Sequence, residues 1–476
     1  MVDLPPGGTR SARPLWTSND IAKATGGRIA GGEFAATGVS IDSRDIGRGD
    51  LFVALTGARD GHDFAPLAFA AGAAGVLASR EVDGPRVVVE DTFAALQALA
   101  TAARDRAAGA VRGAVTGSVG KTTVTQLVRA GLDALGHGHG SVKSYNNHLG
   151  VPLTLARMPA DTRGAIFEIG MNHALEILPL SQMVCPHAVA ITTVEAVHVE
   201  NFADGEAGVA RAKAEIFAGL EPDGVAILNA DNRWFDLLRA AALEKGARIV
   251  AFGAGSDVEG RVVDFRPDAI GATVSALVDG RAVVFPVSQS ARHWGPMSVC
   301  ALLMLRALRV DLDTAVMAIS NFQPLPGRGA VRRVNCRGGE FILVDESYNA
   351  SPVSVAAAVA ALGARPAEGR RIAVLTDMLE LGAQSRTRHA ELAGAVEDAK
   401  IDAVFCAGPL MASLYAALPA SRRGAHAMSV EDLYPNLARE IGPGDVVMIK
   451  GSHDSRASWI VDRLVTSADQ TKLEGR

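Results

Sequence analysis

Aromatic side chains, cysteines and an excess of basic charge are all scarce in this chain of 476 residues. Phe, Trp and Tyr make up 5% of the residues, too few to line a stacking platform for single-stranded nucleic acid. Lys and Arg number 47 against 52 Asp and Glu, and the resulting net charge of −5 disfavours a polyanionic partner. No nucleic-acid partner is therefore expected, although a small anionic ligand stays compatible with this charge.

The four cysteines, Cys185, Cys300, Cys336 and Cys406, include no closely spaced pair. This spacing excludes a zinc ribbon and a CxxC redox motif. Residues 1–20 lack the apolar core that a secretory signal peptide needs. We therefore expect a cytoplasmic protein with reduced thiols.

A membrane-spanning segment is not expected either. Residues 177–194 carry no formal charge, but they contain Pro179, Pro186 and several polar side chains. A spanning helix needs about 20 predominantly apolar residues. This stretch is instead predicted to form a turn followed by a strand.

The chain length corresponds to about three domains at roughly 100–200 residues each. Shifts in composition, together with a Pro- and Gly-containing loop at 323–329, predict domains at 1–88, 89–324 and 325–476. The third block alternates strands with Ala-rich helices, which is typical of a parallel α/β sheet, so the predicted fold class is α/β. Its predicted strands are residues 340–344, 371–375, 402–406 and 445–449.

The strongest motif joins a buried strand to a helix predicted over 124–135. In such a loop the backbone amides wrap phosphate oxygens, the lysine reaches the β- and γ-phosphates, and a hydroxyl ligates Mg²⁺. Val115 stands where the general pattern has its first glycine, and the alternative reading is a glycine turn with a surface lysine. Because no guanine-reading NKxD tetrapeptide is present, ATP is favoured over GTP. The motif consists of Thr116, Gly117, Ser118, Val119, Gly120, Lys121, Thr122 and Thr123.

Four further residues are candidates with a plainer alternative each. Glu168 ends an apolar run and suits Mg²⁺ at a strand end, or else is a solvated strand-end carboxylate. His198 follows another strand and is either a metal ligand or a hydrogen-bonded loop residue. Lys213 interrupts an apolar helix face, where it either snorkels or is held neutral so that it adds CO₂ and forms a carbamate. Asn229 ends a strand and either reads an adenine edge or forms an Asx turn.

Separated motifs along the chain resemble one family, the Mur ligases. TGSVGKTT, NNHLG, EIGMNH, AKAEIF, NADN and the His198–Glu200 pair resemble the central ATPase domain of this family. DSR at 42–44, LFVAL at 51–55 and DGHDF at 60–64 resemble its UDP-recognising N-terminal domain. DESYNASP, DMLELG, His389 and KGS resemble its C-terminal domain, and YNASP and DMLELG favour the member that adds a dipeptide.

The resemblance implies three α/β domains: a small UDP-binding domain, a central P-loop domain with a mostly parallel sheet, and a Rossmann-like C-terminal domain. It implies ATP-dependent joining of D-alanyl-D-alanine to UDP-N-acetylmuramoyl-tripeptide through an acyl phosphate, with ATP and Mg²⁺ as cofactors. A monomer without membrane insertion is expected.

The resemblance also assigns roles to residues. One Mg²⁺ would be held by Thr122 and Glu168, and a second by His198 and carbamylated Lys213, while Lys121 would screen the phosphates. The remaining implied contacts are Asn229, Arg328 and Asp345 with ATP, Ser43 and Arg44 with the UDP part, Asn147 with substrate, and Tyr348 and Asn349 with the dipeptide or the closing interface.

This sequence departs from the family pattern at a few positions. Trp294 and Met297 stand where the family often has asparagines, so neither is expected to act on the adenine side. Thr376 replaces a glycine and Ser351 an asparagine, which removes no charged group. Three alternatives stay open: a sister ligase that adds one amino acid, a folylpolyglutamate-type synthase, and a non-catalytic ATP-binding relative. The UDP-like motifs argue against the synthase, and the intact set of candidate residues argues against the non-catalytic relative.

Overall fold

The computed structural model describes residues 14–57, 59–141, 145–196, 199–324, 326–379 and 381–474. These residues form two compact units. The first comprises the described residues up to Val262 together with Leu277–Ala282 and Pro296–Ile319. The second comprises Val263–Ala276, Val283–Gly295 and the described residues from Ser320 onward.

The first block of the chain is built around a five-stranded sheet with the order β2-β7-β6-β5-β4, in which only the β2–β7 pair is antiparallel. Short apolar strands such as Asp50–Val53 and Gly75–Ala78 are buried along their whole length, as expected for parallel strands covered on both faces. The elements are β1 Trp16–Thr17, α1 Ser18–Thr25, β2 Arg28–Ala30, β3 Ala35–Ala36, β4 Gly38–Ser40, β5 Asp50–Val53, α2 Ala65–Ala70, β6 Gly75–Ala78 and β7 Arg86–Val88.

The central block contains a nine-stranded sheet with the order β16-β15-β14-β13-β12-β11-β8-β10-β9. Strand β8 lies between β10 and β11 and is parallel to both, so the carboxyl ends of these three strands meet at one edge. The elements are α3 Thr92–Arg106, β8 Val111–Thr116, α4 Lys121–Asp133, β9 Gly138–Gly140, α5 Gly150–Ala156, β10 Gly164–Glu168, α6 Ile177–Val184, β11 Ala188–Ile191, α7 Glu206–Ala214, β12 Val225–Asn229, α8 Phe235–Glu244, β13 Arg248–Phe252, β14 Gly260–Pro267, β15 Ala272–Val278, β16 Arg281–Val287, α9 Trp294–Ala307 and α10 Leu312–Ser320.

The last block has a six-stranded sheet with the order β17-β18-β22-β19-β20-β21. Its β17–β18 pair is antiparallel and the other pairs are parallel, which confirms the alternating α/β pattern read from the sequence. The elements are β17 Ala330–Cys336, β18 Gly339–Glu346, α11 Pro352–Ala364, β19 Arg371–Thr376, α12 Ser385–Asp398, β20 Ala403–Ala407, α13 Ala412–Ala417, β21 Arg423–Ala427, α14 Val430–Glu440, β22 Val446–Lys450 and α15 Ala457–Glu474.

The first and central blocks share one hydrophobic core within the first compact unit. Trp16 and Leu51 of the first block pack in the same cluster as Leu99 of α3 and Leu153 of α5. The indole of Trp16 donates a hydrogen bond to the carbonyl of Ala156 at 2.8 Å. This shared core explains why the first block and most of the central block form one unit. The domain limits at 88 and 324 stay a prediction.

Two local predictions differ from the structure. Residues 177–194 do not begin with a turn, because α6 spans Ile177–Val184 before β11. Pro179 is the third residue of α6, in the first turn, where amides have no partner within the helix. Among the described residues, no helix is long and apolar enough to cross a membrane.

Candidate functional site

The phosphate-loop motif lies between β8 and α4, and two of its glycines are required by close contacts. Gly117 has φ +149, and a β-carbon there would lie 1.9 Å from Oγ1 of Thr192. Gly120 has φ +88, and a β-carbon would lie 2.4 Å from Sδ of Met297. Any side chain at either position would displace the loop, so the turn depends on glycine.

The end of β11 holds the loop from its other side. The hydroxyl of Thr192 donates to the carbonyl of Val119 at 2.5 Å. The amide of Ser118 donates to the carbonyl of Thr193 at 2.9 Å, and its hydroxyl donates to the carbonyl of Glu195 at 3.2 Å. The loop is therefore fixed by the residues that follow its neighbouring strand.

A cavity of about 300 Å³ opens above the loop. Nζ of Lys121 donates to the carbonyl of Gly117 at 2.7 Å, so the ammonium lies folded over the loop. Burial lowers the pKa of Lys121, and the negative charge of Glu168 opposes part of that shift. The cavity is lined by Ser118, Gly120, Lys121, Thr122, Thr123, Asn146 and Glu168. The other predicted loop residues, Thr116, Gly117 and Val119, support the loop from outside this lining.

Glu168 ends β10 beside Val115 and is 2% exposed. Its Oε1 accepts a hydrogen bond of 2.8 Å from the side-chain amide of Asn146. The carboxylate and the hydroxyl-bearing Thr122 line the same cavity, and hard oxygen donors of this kind suit Mg²⁺. The structure therefore brings together the two residues that were predicted for the first metal site.

Asn146 is a residue of this site that the sequence reading missed in favour of its neighbour. Oδ1 of Asn147 accepts hydrogen bonds from the amides of Leu149 and Gly150, at 3.2 and 2.9 Å. Asn147 is exposed and starts the turn into α5, whereas Asn146 lines the cavity. The pair of adjacent asparagines was visible in the sequence. Only the structure shows that Asn146, beside the end of β10, is the one that lines the cavity at the phosphate loop.

Lys213 lies near the end of α7 and is 4% exposed. Burial, followed by repulsion from Lys121, lowers the pKa of Lys213 to about 7. Lys213 therefore does not snorkel to the surface, which was one of the two interpretations of its sequence position. His198, its proposed partner, lies outside the described residues. In the part of the chain that is described, no group of three or more His, Cys, Asp or Glu side chains is arranged to hold a metal.

Asn229 ends β12 and forms the Asx turn that was one of its two readings. Its Oδ1 accepts from the amide of Asp231 at 3.0 Å. Its side-chain amide donates to the carbonyl of Thr192 at 3.1 Å, the residue whose hydroxyl holds the phosphate loop. Asn229 thus supports the loop through β11.

In the second compact unit, Asp345 is the penultimate residue of β18 and organises the turn before β17. Its carboxylate accepts from the amide of Gly327 at 2.7 Å and from the hydroxyl of Ser347 at 2.5 Å. The guanidinium of Arg328 lies 3.9 Å from the ring centroid of Tyr348, a cation–π arrangement. Three of the residues predicted for this block therefore lie together.

Asn349 joins this group through its backbone. Its carbonyl accepts a hydrogen bond of 2.9 Å from Nζ of Lys450, which ends β22. Burial lowers the pKa of Lys450, while Glu346, whose carboxylate is 3.7 Å away, opposes that shift. The DESYNASP and KGS motifs thus meet at one edge of the six-stranded sheet.

The first block contains a second cavity, of about 730 Å³. Ser43 and Arg44 are outside its lining, and the side chain of Arg44 is 84% exposed and paired with Asp42 at 2.7 Å. The cavity is lined by Ile41, Leu55, Thr56, Gly57, Arg59, Ser79, Glu90, Asp91, Thr92, Phe93, His148 and Leu149. Both the first and the central block contribute to this lining, because His148 and Leu149 belong to the central block. They follow Asn146, which lines the phosphate cavity.

The positions that depart from the family pattern have structural roles. Met297 packs its thioether against Gly120 of the phosphate loop. The ring of Trp294 lies 6.3 Å from that of Phe322. The hydroxyl of Ser351 caps α11 by accepting from the amide of Ser354, with Pro352 in the first helical position as predicted. The hydroxyl of Thr376 lies 2.5 Å from that of Ser455.

Three family models match successive parts of the chain: the Mur ligase family catalytic domain at 35–107, the Mur ligase middle domain at 115–301, and the Mur ligase glutamate ligase domain at 331–453. The UDP-N-acetylmuramoyl-tripeptide–D-alanyl-D-alanine ligase of Escherichia coli (strain K12) is 32% identical over 454 residues, which cover 94% of this chain and 98% of that protein. The chain belongs to the Mur ligase family.

Other relatives agree with this membership. The ligase of the same name from Bacillus subtilis (strain 168) is 31% identical to this Mur ligase, over 95% of this chain and 98% of that protein. A crystal structure of MurF from Acinetobacter baumannii superposes with a TM-score of 0.82 at 26% identity, covering 95% of this chain and 99% of that one. The predicted three-domain α/β architecture of a Mur ligase is thereby confirmed.

Proposed function

We propose that this Mur ligase joins D-alanyl-D-alanine to UDP-N-acetylmuramoyl-tripeptide at the expense of ATP, giving the UDP-linked pentapeptide, ADP and phosphate. The curated relatives that carry this activity in their names match 90% or more of the chain. The proposal includes a monomeric enzyme in the cytoplasm, with domains at 1–88, 89–324 and 325–476.

One observation of the structure carries the catalytic part of this proposal. The phosphate loop, Lys121, Thr122 and Glu168 surround a single cavity at the carboxyl end of β8. The loop amides and the ammonium of Lys121 stabilise negative charge on the transferred phosphoryl group, and the start of α4 adds its dipole. Asn229 would face the adenine, and Arg328 and Asp345 would also contact the nucleotide.

The proposed reaction has two steps, formation of an acyl phosphate and attack on it by the amine. A carboxylate oxygen of the tripeptide attacks the γ-phosphorus, the bond to the bridging oxygen breaks, and ADP leaves. The amine nitrogen of the dipeptide then attacks the acyl carbon, the carbon–oxygen bond to phosphate breaks, and the amine loses one proton. Because both anionic reactants must approach each other, fixed positive charge such as that of Lys121 lowers the barrier.

The donor set at the cavity fits Mg²⁺, since Thr122 and Glu168 supply a hydroxyl and a carboxylate. His198 and a carbamate on Lys213 would hold a second ion. Bound Mg²⁺ would neutralise phosphate charge and polarise the γ-phosphoryl group. Asn146 holds the carboxylate of Glu168 in place for this role.

The nucleotide-sugar substrate would occupy the cavity of about 730 Å³, because the chain segment from Asn146 to Leu149 lines both this cavity and the phosphate cavity. Ser43 and Arg44 would contact the UDP part from its margin, and Asn147 would contact the substrate where it passes α5. Tyr348 and Asn349 would contact the dipeptide or the closing interface.

A nucleotide-release assay tests whether the protein is a ligase or a non-catalytic ATP-binding relative. We expect ADP to accumulate when ATP, Mg²⁺, UDP-N-acetylmuramoyl-tripeptide and D-alanyl-D-alanine are all present, and to fall to background when the tripeptide substrate is left out. ATP binding without any substrate-dependent ADP release would identify the non-catalytic relative instead.

A further inference from the structure

His62 is a buried histidine that the proposed reaction does not use. Its side chain is 1% exposed, and four residues shortly before it in the chain, Leu55, Thr56, Gly57 and Arg59, line the cavity of about 730 Å³. Ser79, which directly follows β6, also lines this cavity. His62 contacts Asp60 and Ser79 through its two ring nitrogens.

The hydrogen bonds fix the tautomer of the imidazole. Nδ1 lies 2.5 Å from Oδ1 of Asp60, an acceptor, so Nδ1 carries the proton. Nε2 accepts a hydrogen bond of 2.9 Å from the backbone amide of Ser79. Asp60 in turn accepts from Nε of Arg80 at 3.1 Å, so the carboxylate is held from a second side.

Ser79, His62 and Asp60 could be taken for the nucleophile, general base and carboxylate of a catalytic triad. The distances argue against that role. The backbone amide of Ser79 occupies the lone pair of Nε2 at 2.9 Å, whereas the hydroxyl is farther away, at 3.3 Å. An imidazole whose acceptor lone pair is already used is a poor general base for the hydroxyl.

We propose that His62 is a positioning residue that fixes Ser79 on the cavity wall, so that the Ser79 hydroxyl makes a hydrogen bond to the nucleotide-sugar substrate. The inference rests on the proposed function, because that function places this substrate in the cavity. The substrate is polar and anionic, so it can form hydrogen bonds with a hydroxyl group. Because the backbone of Ser79 is already fixed, less conformational entropy is lost when its hydroxyl binds the substrate. Asp60 and Arg80 act on the substrate only through this arrangement.

Two substitutions separate the two halves of the imidazole. In His62→Asn the amide reaches only the position of Nδ1, so the bond to Asp60 is kept and the bond to Ser79 is lost. In His62→Gln the amide oxygen reaches the position of Nε2, so the Ser79 bond is kept and the Asp60 bond is lost. Each variant is thus the control for the other.

We expect His62→Asn and Ser79→Ala to raise KM for UDP-N-acetylmuramoyl-tripeptide about tenfold, the value of one hydrogen bond. Their kcat and their KM for ATP should stay unchanged, and binding of UDP alone, measured by calorimetry, should show whether the contact is to the nucleotide part. His62→Gln should stay within about twofold of wild type. Thermal melts of all three variants report folding.

Equal KM values for His62→Asn and His62→Gln, or an unchanged KM in Ser79→Ala, would overturn the inference. So would acylation of Ser79 by p-nitrophenyl acetate, because that result would make it a nucleophile. A wild-type protein that neither binds UDP nor turns over the tripeptide substrate would overturn the proposed function as well, which a failure confined to the variants would not.

Discussion

Glu168 is the residue on which the phosphate cavity depends most directly. It is almost fully buried, it is held by Asn146, and it faces Thr122 across the cavity. The hydrogen bond from Asn146 uses one lone pair of this buried carboxylate, and its oxygens have others that suit a cation. Burial therefore rules out the solvated strand-end carboxylate that was the alternative interpretation.

Replacing Glu168 by Gln tests this reading. We expect kcat for ADP release to fall about 100-fold or more, because the charge that binds the metal is removed. The melting temperature should change little, since a Gln oxygen still accepts from Asn146. Glu244→Gln, at the exposed end of α8, is the control for loss of one negative charge. A Glu168→Gln enzyme with the wild-type rate would remove this residue from the mechanism.

Lys213 supports a second prediction. Its pKa of about 7 leaves part of the amine neutral at neutral pH, and only the neutral form adds CO₂. We expect Lys213→Ala to be inactive, and wild-type enzyme in CO₂-free buffer to lose activity that bicarbonate restores. Lys213→Arg should stay inactive with bicarbonate. An active Lys213→Ala enzyme would contradict the carbamate.

Sequence reasoning found the residues whose roles are set locally. Lys121 and Thr122 follow from a contiguous motif, and Glu168 from its place at the end of an apolar run. Asn146 and His62 depend on contacts across 22 and 17 residues, with Glu168 and Ser79, and spacing along the chain does not reveal such contacts. The register of neighbouring strands decides them.

Among the elements, the strand–loop–helix around β8 is the one most tightly specified by its glycines. Gly120 combines a left-handed φ with close contact to Met297. Gly136, between the end of α4 and β9, has a similar φ of +83 but open space around the β-carbon position. The two glycines therefore separate backbone strain from crowding.

We expect Gly120→Ala to weaken ATP binding tenfold or more, because the methyl group displaces the loop or Met297. Gly136→Ala should cost stability of about 1 kcal/mol but leave ATP affinity unchanged. Titration calorimetry with ATP and thermal melts of both variants measure this. Equal ATP affinity in the two variants would show that the crowding at Gly120 has no effect on the loop.

His139 lies in β9 of the central sheet and contacts a helix and a neighbouring strand. Its Nε2 donates to the carbonyl of Thr154 in α5 at 2.7 Å, and its ring lies 6.3 Å from that of Phe167 in β10. Burial lowers the pKa of His139 to about 4, so this buried ring is neutral in the folded protein at neutral pH. In the unfolded chain the same histidine titrates near 6.5.

The unfolded state therefore binds more protons than the folded state between about pH 4 and 6.5. Stability should fall as the pH falls through this window, and this histidine should contribute nothing to the slope above it. His139→Gln keeps a donor for Thr154 and does not titrate. We expect its melting temperature to drop less than that of wild type between pH 7 and pH 5. Identical drops would contradict the account.

Sequence patterns predicted whether a segment is a helix or a strand better than they predicted its first and last residues. Four of the six strands in the sheet of the last block were predicted to within a few residues, because alternation with Ala-rich helices is a strong signal, whereas β17 and β21 were not predicted. Residues 177–184 were misread because Pro179 suggested a turn, although a proline is tolerated in the first turn of a helix. The helix that carries Lys213 ends at Ala214, where it tightens into a 3₁₀ turn over Glu215–Gly219.

For the whole molecule, chain length indicated about three domains, the alternation in the last block indicated the α/β class, and the motifs suggested a function for each domain. Three family models cover the chain, yet its first two parts share a core around Trp16, Leu99 and Leu153. Composition cannot show such sharing, because the contact between Trp16 and Ala156 joins residues 140 apart in sequence. The net charge of −5 likewise gives no indication of a local site for phosphates.

The most direct test of the central claim is the product formed from a panel of acceptors. Wild-type protein is incubated with ATP, Mg²⁺ and UDP-N-acetylmuramoyl-tripeptide together with D-alanyl-D-alanine, D-alanine, L-lysine or D-glutamate, and the products are identified by mass spectrometry. We expect UDP-linked pentapeptide with D-alanyl-D-alanine, in equal amounts with ADP and phosphate, and no product with the single amino acids. Turnover with a single amino acid and none with the dipeptide would contradict it and assign the protein to a sister ligase.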